Sequence, residues 1–104
     1  MQYVITAEHP PQLCPSSNGK IREMLKQAVP HIPALAQKHG VQIITLNVFG
    51  PDHVILSVVE AGNIEAVRSF VTEAGLLQWN TIKINATWSV EEALRMIEDL
   101  PTIF

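Results

Sequence analysis

The stretch VQIITLNVFGPDHVILSVVE, residues 41–60, decides the fold. Two runs rich in β-branched and aliphatic residues flank Gly50-Pro51-Asp52, a short break that suits the turn between antiparallel strands. Val41 to Phe49 is a predicted strand, Gly50-Pro51-Asp52 a hairpin connection, and His53 to Glu60 the returning strand. A sheet covered on one side shows apolar residues alternating with polar ones. These strands do not alternate cleanly. Val41, Ile43 and Phe49 fall on one predicted face, and Ile44, Leu46 and Val48 on the other. In the returning strand Ile55 and Val59 oppose Val54, Leu56 and Val58. One face needs helices over it, and the other needs a cover that a short chain supplies only in part.

Toward the amino terminus, Gln2 to Ala7 reads as a strand, with Tyr3, Ile5 and Ala7 alternating with Val4 and Thr6. Ile21 to Val29 reads as a helix, because Ile21, Met24, Leu25 and Ala28 share one helical face. Ser17 or Asn18 is its cap. Pro30 lacks a backbone donor and should break that helix, and Pro33 suits the first turn of a continuation through Leu35 to Lys38. Gly40 stops it.

Toward the carboxyl terminus, Asn63 caps a helix with Ile64, Val67, Phe70 and Val71 on its apolar face, ending near Gly75. Leu76 to Asn80 is a connection and Thr81 to Thr87 a fourth strand. Ser89-Val90-Glu91-Glu92 is a capping box that starts a last helix, and Pro101 ends it. The order β-α-β-β-α-β with an added helix is the ferredoxin-like pattern: a single α+β domain over residues 1–104. Right-handed crossovers then give an antiparallel four-stranded sheet in the order 4-1-3-2.

The chain is 47% hydrophobic and 16% charged, against about 25% charged in an ordinary soluble domain. In a small globule that surplus points to a face hidden against another copy, so a homodimer or higher homo-oligomer is expected. The seven Lys and Arg are scattered and the net charge is −3, which argues against nucleic acid. No apolar run is long enough to span a membrane, and MQYVITAEH does not read as a signal peptide. A single cysteine makes no internal disulfide, so a reduced thiol in the cytoplasm is expected.

The element order and strand faces resemble the dimeric α/β-barrel superfamily, across essentially the whole chain. Its members are ferredoxin-like chains whose sheets pair into a barrel-like dimer. They include cofactor-free monooxygenases, muconolactone-isomerase-like enzymes, haem-handling enzymes, stress-responsive domains and small nickel-binding proteins. Glu8-His9 at the end of the first strand resembles an acidic-histidine pair of the nickel-binding group. A fold of this kind does not by itself name a function.

The topology itself gathers the chemistry. The ends of strands one and two, the starts of strands three and four, and the start of the first helix share one edge of the sheet. His9, Cys14 and His53 lie there, with Glu8, Asp52, Asn18 and Trp79 beside them. A thiolate and two imidazoles suit nickel, zinc, copper or iron. Glu8 or Asp52 would add a ligand or orient an imidazole, and Asn18 and Trp79 would complete the surroundings. Pro10, Pro11 and Pro15 would stiffen the loop that holds Cys14. The same residues also fit plainer roles: polar strand ends, a small buried cysteine and a helix cap. They fit a third role too, a reactive thiolate at a helix amino terminus.

Two further readings stand beside a metal-binding protein. One is a small enzyme, monooxygenase- or isomerase-like, with a pocket for a hydrophobic molecule. The other is a non-catalytic assembly module. Neither has a motif of its own: there is no Ser-His-Asp order, glycine-rich phosphate loop, CxxC pair or HExxH. The tail ends in Ile103-Phe104, and these apolar residues are expected to dock on the body or on a partner chain.

Overall fold

Tyr3, Ile5 and Ala7 are buried while Val4 and Thr6 are only half-buried, so the first strand has the two faces its alternation requires. The computed structural model describes residues 1–104. Strand β1 spans Gln2–Glu8. Helix α1, Gly19–Ala28, is capped by Asn18, whose side chain accepts from the Ile21 amide. Pro30 lies in a 3₁₀ turn, Val29–His31, that separates α1 from α2, Ile32–Lys38. The proline therefore breaks the helix where its missing donor demands. Gly40 follows with φ of 68°, a conformation that a side chain would strain.

Strands β2, Gln42–Phe49, and β3, Val54–Glu60, flank a 3₁₀ turn at Gly50–Asp52. Helix α3, Ile64–Glu73, is capped by Asn63, and β4 spans Thr81–Ala86. Helix α4, Val90–Ile97, is capped by Ser89, which accepts from the Glu92 amide. The sheet is antiparallel throughout, in the order β2-β3-β1-β4; counted from the other edge this is 4-1-3-2. The architecture is α+β and compatible with a ferredoxin-like fold.

The core lies between one sheet face and helices α2 and α3. Tyr3, Ile5 and Val59 from the sheet meet Ala36, Val67, Phe70 and Val71. Val59 and Val67 are fully buried, and burial of a side chain of that kind contributes about 1.5–3 kcal/mol.

The second strand departs from strict alternation. Ile43 pairs with Val59 but Thr45 pairs with Val58, so Ile44 is an extra residue, a β-bulge. Past the bulge every side chain changes face. Leu46 stands opposite Ser57 and Val48 opposite Ile55, on the helix side of the sheet, whereas Phe49 stands opposite Val54 on the open side. The expected grouping of Phe49 with Ile43, and of Leu46 and Val48 with Ile44, is corrected accordingly. The Ser57 hydroxyl donates to the Thr45 carbonyl at 2.7 Å beside the bulge.

The open sheet face carries Val4, Val54, Leu56 and Val58, with Phe49 at one end. No helix of this chain covers it. Helix α4 buries none of its residues. Ile103 and Phe104 are likewise exposed, at 90% and 112%, so within one chain they do not dock on the body.

Candidate metal centre

Three segments deliver three donor atoms to one point. His9 follows β1, and its amide donates to the His53 carbonyl at 3.2 Å, carrying the β1–β3 ladder one residue past the strands. His53 ends the Gly50–Asp52 turn in the left-handed region, φ 55° and ψ 44°. It is the only non-glycine residue with positive φ. A histidine tolerates that region better than a β-branched residue does.

Cys14 comes from the loop between β1 and α1, where nearly every turn is tied down. The Leu13 and Cys14 amides donate to the Pro10 and Pro11 carbonyls at 3.0 and 3.2 Å, forming a 3₁₀ turn. The Ser17 and Asn18 amides donate to the Cys14 carbonyl at 3.0 and 2.8 Å. From the helix side, Arg22 Nε and Nη2 donate to the Pro15 and Ser16 carbonyls, both at 2.8 Å. Asn18 Nδ2 donates to the Gln12 carbonyl at 2.9 Å while its Oδ1 caps α1. The loop's length is therefore used: it winds once, and places its cysteine inward beside the two histidines.

The Sγ of Cys14 and one ring nitrogen from each of His9 and His53 lie within 4.8 Å of one another. Tetrahedral ligation by sulfur and nitrogen at about 2.0–2.3 Å sets ligand atoms about 3.5 Å apart. Modest side-chain rotation closes that difference. His9 Nε2 and His53 Nδ1 are both buried and have no hydrogen-bond partner in the protein. A buried polar nitrogen without a partner costs about 1–3 kcal/mol, and both of these belong to the histidines that cluster with the thiol.

The opposite nitrogen of His9 is occupied. Asn80 Nδ2 donates to the Leu76 carbonyl at 3.1 Å, which turns its Oδ1 toward His9 Nδ1 at 2.9 Å. The Nδ1 is thus the protonated nitrogen and Nε2 presents its lone pair to the cluster. Trp79, 5% exposed, packs on the His9 ring with centroids 5.1 Å apart. The two imidazoles meet edge to face at 5.6 Å.

The Cys14 thiol is 8% exposed, yet its pKa is lowered from 9.0 to about 6. The main cause is Ser16, whose hydroxyl lies 3.0 Å from the sulfur and whose backbone also contributes; His53 and His9 add to it, and burial opposes it. At neutral pH the sulfur is largely thiolate, the form that binds metals.

Of the residues expected at this edge, His9, Cys14 and His53 come together and Trp79 forms a wall. Asn18 is committed to the helix cap and the loop. Glu8 and Asp52 are exposed and outside the three-residue cluster; with His9, Pro10 and Thr81 they line a shallow depression of about 300 Å³. The orienting partner of His9 is the neutral amide of Asn80. A separate cleft of about 230 Å³ touches all three donors and is otherwise lined largely by Leu25, Val48, Phe49, Val54 and Ile55. No helix is long and apolar enough to cross a membrane.

No protein-family model matches the chain, and no curated protein matches it in sequence.

Proposed function

We propose that this protein binds one transition-metal ion through His9 Nε2, Cys14 Sγ and His53 Nδ1. The observation that carries the reading is the cluster of Cys14 Sγ with one ring nitrogen of each histidine within 4.8 Å, in histidines that each hold a buried nitrogen without a partner. A thiolate with two imidazoles favours zinc, copper, nickel or iron over magnesium or calcium. Three protein ligands leave a coordination position for an exogenous group, as in catalytic rather than closed structural sites. His9, Cys14 and His53 all line the apolar cleft, which would give an exogenous group access to a bound ion. The resemblance to the dimeric α/β-barrel superfamily, with its nickel-binding group, supports the same reading, and a free thiolate ligand suits the reducing cytoplasm.

A second reading, an enzyme acting on a small hydrophobic compound, is favoured by the cleft. Its lining pairs several aliphatic side chains with a reactive-type thiolate.

Elemental analysis of tag-free protein, before and after loading with zinc, copper, nickel and iron, tests the first reading. Near-stoichiometric metal is expected. Less than about a tenth of an equivalent of every metal would refute it. Cys14→Ser and His9→Ala should each reduce affinity at least tenfold through loss of a ligand, and unchanged binding in both would show the ligands to be misassigned.

A further inference from the structure

The molecule is larger than its chain requires. Its radius of gyration is 16.4 Å, where a compact domain of this length has about 13 Å. Its accessible surface is 7171 Å², against about 5,800 Å² for a folded monomer of 11.5 kDa. The excess, about 1,400 Å², exceeds the roughly 800 Å² that each partner gives to a standard interface.

Exposed apolar residues on β2 contribute to it, and α4 with the chain after it contributes a second group. Val90, Leu94 and Ile97 are 77%, 58% and 54% exposed along one stripe of α4, and Leu100 just beyond is 59% exposed. A free amphipathic helix of 8 residues is not stable in water on its own. It needs an apolar surface, and the chain has one without a cover: the open sheet face with Val54, Leu56 and Val58 on β3. The lengths agree. Val54 to Val58 spans about 13 Å of strand, and Val90 to Ile97 spans about 10 Å of helix.

The sheet of the same chain is out of reach along that line. The Thr87 amide still donates to the Gln2 carbonyl at 3.0 Å, so the chain leaves the sheet only after Thr87. A helix laid along β3 lies about 10 Å above the sheet and two strand spacings, about 10 Å, sideways from β4. That is about 14 Å away, and the residues from Thr87 to Ser89 extend at most about 10 Å.

We propose that two copies of this protein exchange their carboxyl-terminal arms. Helix α4 of each copy lies along β3 on the open sheet face of the other. The contact is self-complementary under a twofold axis, so it closes at two chains. It covers both unpartnered apolar surfaces at once. Phe49 and Val54 lie at the end of that face and also line the cleft beside the metal ligands, so the exchanged arm would border the cleft mouth. The inference is independent of metal binding.

Light scattering at micromolar concentration should give twice the monomer mass of 11.5 kDa. Leu94→Glu with Ile97→Glu should return it to one chain whose circular dichroism spectrum loses no more than the helical signal of the 8 residues of α4, since α4 buries nothing within its own chain. Chains carrying Val58→Cys and chains carrying Leu94→Cys, each with Cys14→Ser, should form a disulfide-linked pair when mixed and oxidised. A monomeric parent protein overturns the proposal. So does a dimer that survives the double substitution, which would mean that the sheets pack directly, and so does the absence of any mixed disulfide.

Discussion

Asn80 Oδ1 accepts a hydrogen bond from His9 Nδ1 at 2.9 Å, across 71 positions of sequence. The amide is itself oriented by the Leu76 carbonyl. Partners of this kind fix the tautomer of a metal-binding imidazole, and removing one typically costs 10–100-fold in affinity. Asn80→Ala should therefore weaken metal binding by about that factor, measured by competition with a chromophoric chelator. Asn80→Asp keeps the acceptor and should bind at least as tightly as the parent. Equal affinities for all three proteins would mean that the bond does not orient His9.

The Cys14 thiol offers a pH test in metal-free protein. Its pKa is lowered to about 6, so the thiolate form is favoured by the fold. Alkylation by iodoacetamide should rise with pH around a midpoint near 6 instead of 9.0. The same shift stabilises the folded metal-free chain fully above the unfolded thiol's value, and that gain is lost as pH falls through about 6. Ser16→Ala removes the largest cause and should move the midpoint upward. A midpoint unchanged by Ser16→Ala would assign the shift to the Ser16 backbone and the histidines.

Much of this cluster is legible in the sequence. Strand direction alone brings His9, Cys14 and His53 to one edge, because β1 ends where β3 begins. The helix caps at Asn18, Asn63 and Ser89 follow from side-chain chemistry that acts over three residues. Three features did not follow. The bulge at Ile44 leaves no mark in an apolar run whose two halves both alternate plausibly. Asn80 ends the connection before the fourth strand, and nothing local says that its amide faces a histidine. Glu8 and Asp52 were favoured by charge, whereas the geometry turns them to solvent, where a carboxylate keeps its hydration.

His53 separates ligation from folding. A non-glycine residue in the left-handed region costs about 1 kcal/mol. His53→Gly should relieve that strain, leaving the metal-free protein as stable as the parent or slightly more so in urea, while weakening metal binding at least tenfold. His53→Val should destabilise by more than about 1 kcal/mol, since a β-branched side chain tolerates positive φ poorly. A loss of metal-free stability in the glycine variant would mean that the imidazole supports the hairpin.

Away from the site, Phe70 is 5% exposed and central to the core. Phe70→Ala should cost about 3–5 kcal/mol in chemical denaturation. Its distance from the ligands in the chain makes it a control: metal stoichiometry in the folded fraction should not change.

Glu73 receives Lys38 at 2.6 Å and also contacts His39, tying the end of α3 to the end of α2. Lys38 and then His39 lower its pKa below the usual 4.5, so its contribution to stability is present above that value and fades as pH falls below it. Glu73→Gln should flatten the acid limb of the stability curve. An acid limb identical to that of the parent would show these exposed contacts to be without consequence.

The bulge at Ile44 also limits how the protein can misassemble. β2 is an outer strand, with unpaired backbone groups along its free side and Leu46 and Val48 exposed beside it. An outer strand of that kind invites another strand to add, and then another, as in open-ended fibrils. The extra residue kinks β2 and interrupts the flat ladder that an incoming strand would need. Substitutions that straighten this strand would therefore be expected to show themselves first as slow polymerisation in concentrated solution.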